Sequence, residues 1–390
     1  MPFALPRARA LYALLVVSVA LSVPTRARAQ AVLGYGEDAT AAPAGAIRFR
    51  LSNDWHRSRL IGNASDTTYD SDRQFRATTI GLELGVLSRF TLGVTAPWVM
   101  TKTETFVSSS HLEGFHFVTL LDTLLTSTHN GWGNIEAFGK LVWLGEPGQQ
   151  ARLAPRSGVH IRSAIVGGAL LGTGNTVPTS DPFAIPTSDR AKAITARSAT
   201  DVTIGRLFFA SIVGRYEKPF SDNYLVGVHP GDNPFSSDAV PVFAQRKLGT
   251  TYEIEFTPRF QLGRYFSAGL QYRYHHHAQD FYTGTTTTTI GATPVTLDAA
   301  TLDTGTAFTE QRVGFGVVYS AVDAYVHRNA RFPVEVTFEF SKVTSISGNR
   351  PKEEETMISV RLYRRLWGAE FAPPARAPKT PAPAPDSPSP

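Results

Sequence analysis

The chain has 390 residues, no cysteine, and 38 lysines and arginines against 33 acidic residues, a formal net charge of +5. The lack of cysteine excludes a disulfide framework, a thiolate metal site and a thiol nucleophile. Arg7, Arg9, Arg26 and Arg28 lie in the first 29 residues, which hold no acid; taking those four from +5 leaves +1, too little for the basic field of a nucleic-acid binder.

Residues 1–29 read as a secretory signal peptide. Arg7 and Arg9 make a positive start, Leu11 to Val23 is an apolar run, and Ala27-Arg28-Ala29 is a small-x-small cleavage site. The run is about 13 residues long, against the roughly 20 that a membrane-spanning helix needs. The mature chain is expected to begin at Gln30. Its first segment, residues 30–44, "QAVLGYGEDATAAPA", is a short periplasmic stretch, too short for a large plug domain but able to fold into the periplasmic mouth.

From residue 45 onward the pattern has period two. Alternating segments of roughly ten residues, as expected for membrane-spanning strands, fall near 45–54, 76–87, 90–99, 133–143, 156–167, 198–206, 208–217, 248–258, 264–275, 308–320, 331–342 and 353–367. The connections run long, short, long, short: 55–75, 88–89, 100–132, 144–155, 168–197, Leu207 alone, 218–247, 259–263, 276–307, 321–330 and 343–352. Long extracellular loops and short periplasmic turns belong to outer-membrane barrels. A soluble β-sandwich has no reason to keep that order.

The hairpin "TIGLELGVLSRFTLGVTAPWV", residues 79–99, sets Ile80, Leu82, Leu84 and Val86, then Leu92, Val94, Ala96 and Trp98, on one side. Comparable faces in the other strands carry no charge, as lipid requires, since a midplane Lys or Arg would cost roughly 2–4 kcal/mol. The opposite parity holds Arg48, Arg50, Glu83, Glu136, Lys140, Arg162, Asp201, Arg215, Glu253, Glu255, Arg273, Arg312, Glu335, Glu339 and Arg361. These fifteen are the expected lumen-lining residues. If acids face bases they form a network that narrows the pore. If they segregate, with Arg48, Arg50, Arg162 and Arg361 on strands 1, 5 and 12 against Glu253 and Glu255 on strand 8, they set up a transverse field.

Phe90, Trp143, Phe256, Phe266, Tyr319, Phe332 and Trp367 gather toward the short turns, and Trp98, Tyr216, Tyr272 and Tyr274 toward the long loops. Two such girdles mark the membrane interfaces. The barrel is expected to span 45–368, with Trp367 or Phe371 as its closing aromatic. Residues 369–390, rich in Pro and Ala, read as a disordered periplasmic tail, either a spacer to a periplasmic partner or simply tolerated.

The stretches "LELGVLSRFTLGVTAPWV", "GWGNIEAFGKLVW" and "RVGFGVVYSA" resemble the outer-membrane family labelled for the MetA pathway of phenol degradation. The resemblance covers most of 76–367 and implies a transporter-like barrel that passes small, aromatic or hydrophobic molecules. The family often has Asp at the position that Asn134 holds here.

Other constellations point to less. In "HHH", 275–277, only His275 and His277 share a face, with Asp280 the one addition toward a metal site; a solvated rim is the plainer reading. "GTGN" at 172–175 lacks the helix and Gly-Lys-Ser of a phosphate loop. "TTTTT" at 285–289 reads as a loop hairpin, and "HPGDNPFSSD" at 229–238 as a turn with weak calcium character. His160 and Asp201 find no serine fixed beside them by spacing, as a hydrolase would need.

The expectation is therefore an all-β, antiparallel, up-and-down transmembrane barrel of about twelve strands in the outer membrane. It contacts lipid and small solutes, and needs no cofactor, metal or nucleic acid. The function expected is passive passage of small molecules. The alternatives are a scaffold for a periplasmic partner and an outer-membrane hydrolase.

Overall fold

A computed structural model describes residues 38–367 apart from 65–66, 111–126, 129, 146–157, 175–187, 206, 229–239, 264, 291, 327–331 and 349–351. The signal peptide and its cleavage site, residues 30–37, the tail at 369–390 and the segment at 229–238 lie outside the described residues.

Twelve strands form the wall: β1 (Ala46–Ala64), β2 (Thr67–Leu87), β3 (Phe90–Ser110), β4 (Glu136–Leu144), β5 (Val159–Leu171), β6 (Lys192–Ile204), β7 (Phe208–Pro219), β8 (Thr251–Gln261), β9 (Phe266–His277), β10 (Phe308–Ser320), β11 (Val334–Ser347) and β12 (Lys352–Arg365). Each pairs antiparallel with its neighbours in sequence, and β12 pairs with β1, Arg361 opposite Arg50 and Leu51 opposite Val360. The ring is thus a closed up-and-down barrel, as the alternation requires. Closure joins the first and last strands of the wall, the way a sheet satisfies its backbone in lipid.

The outer surface is apolar. Leu82, Leu92, Ile161, Ile165, Ile212, Ile254, Leu270, Phe315 and Leu362 are all exposed, each on the parity expected to meet lipid. Charged and hydroxyl side chains fill the inner parity together with a smaller set of buried apolar groups, among them Val142, Ala164, Ala199 and Val213. At the short-turn end, Leu366 and Trp367 both donate their amides to the Gly45 carbonyl. Gly45 itself stands at φ +75° against Trp367, a position that a side chain would strain.

Several connections differ from the sequence reading. Residues 55–64 and 67–75 are not loop. They are the outer arms of β1 and β2, paired from Trp55–Arg76 up to Ala64–Thr67. Beyond the hydrocarbon neither face of a strand needs to be apolar, so the period-two signal fades while the backbone pairing continues. The connection after β4 runs from 145 to 158, longer than the expected turn, and the one after β10 contains a helical turn at Val322–Val326.

The loops after β7 and β9 fold together. Strands at Asp222–Val228, Val240–Lys247 and Phe281–Thr283 form a sheet that keeps the register of β7, β8 and β9. The threonine run is a hairpin, Thr285–Ile290 paired with Thr293–Asp298. Val228, Val242, Ala244, Leu297 and Ala299 pack as the core of this extension.

Candidate functional site

Charged side chains of many strands converge in the barrel interior. Arg48, Lys140, Arg162, Asp201, Glu253, Glu255, Arg273, Arg312, Glu335, Glu339 and Arg361 are buried there, and Arg50, Glu83, Glu136 and Arg215 are half-buried. Burying so many charges is tolerable only because acids and bases meet.

They meet locally. Arg48 pairs with Glu83, and Arg215 with both Glu253 and Glu255, the latter at 2.8 Å. Arg162 lies 2.7 Å from Asp201, and Arg361 lies 3.9 Å from Glu335. Some pairs reach across intervening strands: Arg273 of β9 and Arg312 of β10 approach Glu355 of β12 at 3.5 and 2.8 Å. The segregated arrangement of a basic wall against an acidic one is therefore not what forms. Unlike charges interleave around the ring, since each isolated charge would face the full desolvation cost alone.

At the short-turn end a strap of chain, residues 38–44, enters the bore. Asp38 is its anchor, 3.6 Å from Arg48, 3.7 Å from Arg361 and 3.8 Å from Lys140. Its shell holds three cations and, with Glu83 and Glu335, three carboxylates. The strap backbone is fixed as well: the Ala39 amide donates to Asp201 Oδ2 at 3.1 Å and the Ala42 amide to Thr91 Oγ1 at 2.9 Å. Ala39 and Ala41 pack on Val142, Ala164, Ala199 and Val213, which explains apolar groups on the inner parity. Gly85 makes the close approach possible, because a Cβ there would stand 2.0 Å from the Pro43 carbonyl oxygen.

On the long-loop side of the strap lies a cavity of about 240 Å³. Its lining steps up each strand from the residues that grip the strap: Arg50 beyond Arg48, Thr95 beyond Thr91, Glu136 beyond Lys140, Arg197 beyond Asp201, Ser359 before Arg361. Arg197 pairs with Glu136 at 2.6 Å and covers the Phe138 ring.

The rim beyond is organised by amides and turns. Asn134 donates to Asp189 Oδ1 at 2.8 Å and accepts from Ser188 Oγ and the Gly174 amide. A carboxylate at 134 would instead confront Asp189, which accounts for the amide here. His277 and Asp280 do come together, Nε2 to Oδ1 at 3.0 Å, and Asp280 also accepts from the Gly249 amide at 2.6 Å. Burial works to raise the Asp280 carboxyl, but the hydrogen bonds from His277 and Gly249 outweigh it and hold the group below the usual range. His275 lies edge-on to Phe308. Among the described residues no three ligating side chains gather for a metal.

Asp201 is committed to Arg162, Ser211 and the strap. Ser211, the serine beside it, donates to that carboxylate at 3.0 Å. The sequence reading missed Asp38, Asp54, Arg197 and Glu355. Arg197 and Glu355 have the inner parity of their strands, so a longer strand 6 and counting Glu355 with strand 12 would have found them. Asp54, at the end of the predicted strand 1, shares the parity of Arg48 and Arg50.

No family model and no curated protein matches the chain. Among solved structures it resembles an outer membrane channel from Pseudomonas putida F1, at 12% identity and a TM-score of 0.51, over 84% of this chain and 98% of that one. It also resembles the transport unit of the autotransporter AIDA-I from Escherichia coli, at 8% identity and a TM-score of 0.40, over 89% and 96%. A TodX monoaromatic hydrocarbon channel carrying the deltaS2S3 mutation matches at 11% identity and a TM-score of 0.40, over 87% and 97%. The first likeness shows the barrel fold.

Proposed function

We propose that this chain is a passive outer-membrane channel for small solutes, shut at its periplasmic end by residues 38–44, and a member of the family labelled for the MetA pathway of phenol degradation. The observation that carries the reading is the strap. It is no part of the wall, it is held by side chains and two amides, and a cavity lies immediately beyond it. A barrel built only as a scaffold needs neither a hollow nor a stopper. The fold shared with a Pseudomonas putida outer membrane channel supports the same reading, and the three hairpin stretches support the family. The family label extends the solutes to small aromatic compounds.

Planar-bilayer recording of the full chain and of a variant lacking residues 38–44 tests this. The full chain should conduct weakly, and the variant severalfold more. Silence from both would overturn the channel and favour a scaffold.

A further inference from the structure

We propose that the cavity above the strap is a binding site for a small zwitterion of amino-acid size, with its ammonium at Asp54 and its carboxylate toward Arg197 and Arg215. The inference rests on the channel reading and names the solute class of that bore.

Asp54 carries the argument. It is 9% exposed, lines the cavity, and its Oδ1 has no hydrogen-bond partner among the described residues. Ser359, 5% exposed, lines the same wall, and its Oγ is likewise without a partner there. The two sit diagonally on paired strands, since Asp54 faces Met357 and Ser52 faces Ser359. Buried acceptors and hydroxyls in folded proteins nearly always have partners. A carboxylate oxygen and a hydroxyl left open on one wall of a hollow therefore ask for a donor from outside the chain.

Across the bore, β6 and β7 bring Arg197 and Arg215 to the cavity. Both already hold carboxylates of the wall, Glu136 and Glu253 with Glu255, which fixes their guanidinium planes, and five donors per guanidinium leave capacity for a further acceptor. Arg50 on the Asp54 wall and Glu136 beside Arg197 line the hollow too, but Glu136 is held by Arg197 and Thr195, so the open acceptor is Asp54, and Arg197 and Arg215 face it from the opposite wall. A potassium ion would answer only Asp54, and a halide only the arginines. A zwitterion answers both and brings no net charge into a low-dielectric passage, where an unpaired charge is costly. Size agrees: about 240 Å³ is below the roughly 300–1,000 Å³ of sites for drug-sized ligands.

The test is equilibrium dialysis of the full chain in detergent against radiolabelled L-alanine, with folding verified by heat-modifiable gel mobility. Saturable binding at one site per chain is expected, weakened about tenfold or more in Asp54→Asn and severalfold in Ser359→Ala, which keeps every charge. Propionate or ethylamine alone should displace L-alanine poorly. No saturable binding, or undiminished binding by folded Asp54→Asn and Ser359→Ala, overturns the proposal. Because dialysis does not require conduction, the two readings separate. Alanine binding in a silent barrel leaves this site and removes the channel, while conductance without alanine binding does the reverse.

Discussion

Asp38 and Arg361 lie 3.7 Å apart inside the barrel, so the segment that precedes the first strand is tied to the last strand through the bore. The same carboxylate serves Arg48 of β1 and Lys140 of β4. Replacing Asp38 by Asn keeps the shape and leaves three cations facing two carboxylates. Asp38→Asn should loosen the strap, raise mean conductance and shift selectivity toward anions. Reversal potentials in a salt gradient check both; an unchanged conductance and potential would show that Asp38 does not hold the stopper.

Gly85→Val reaches the same strap without changing any charge. Its Cβ would collide with the carbonyl oxygens of Pro43 and Ala42, at 2.0 and 2.4 Å. Conductance should rise as in Asp38→Asn, while ion selectivity stays at the wild-type value. A rise in both variants with a selectivity change in only one would separate the steric part of the latch from its electrostatic part.

The facing of the wall is readable with single cysteines, because the chain has none of its own. Leu82→Cys, Ile254→Cys and Leu270→Cys, all on exposed apolar positions, should react with a lipid-soluble maleimide and resist a charged one. Thr79→Cys and Thr95→Cys, which line the cavity, should show the opposite preference once the strap is removed. Equal labelling of the two sets would refute the alternation.

Magnitudes separate buried pairs from surface ones. Glu255 is 1% exposed and pairs with Arg215, which also holds Glu253, so Glu255→Gln removes one of two counter-charges from a half-buried guanidinium and should cost about 2 kcal/mol. Lys342 and Glu354 are 56% and 47% exposed, and Lys342→Ala should cost less than about 1 kcal/mol. Reversible urea unfolding followed by tryptophan fluorescence gives both values. Similar costs would mean that the bore is as wet as the surface.

The lock at Gly249, Asp280 and His277 should respond to acid. The Asp280 carboxyl is held below its usual range, so its contribution is present above the unfolded value near 3.9 and is lost as pH falls through the lower folded value. Hydrogen exchange at the Gly249 amide, which donates to Asp280, should stay slow relative to the intrinsic rate from pH 7 to 5 and lose protection below about pH 4. Asp280→Asn should flatten that dependence.

The barrel was legible because lipid imposes a rule on every second residue. Ile80, Leu82 and Glu83 report their facing by type alone, and so do Ile254 and Glu255. Where lipid ends, the rule ends: the sequence of 55–64 and 67–75 no longer alternates between apolar and polar residues, and only its pairing shows it to be strand. The pairing of charges was not legible either. Parity places Arg48 and Glu83 inside, but whether they meet depends on register, and Arg48 is directly opposite Glu83. Asp38 was hidden for another reason. It lies in a short alanine-rich stretch with no period, and its importance comes entirely from the three cations that the closed ring brings around it.

That geometry also makes the strap a sign of closure. The strap takes its side-chain hydrogen bonds and ion pairs from β1, β3, β4, β6 and β12, including a hydrogen bond between residues 162 positions apart in sequence, and packs on β2, β5 and β7 as well. No partial sheet offers all of them, and Arg361 arrives beside Arg48 only when the last strand has zipped onto the first. The full set of strap contacts is therefore complete only in the closed ring, and the grip on residues 38–44 reports whether the last strand has met the first.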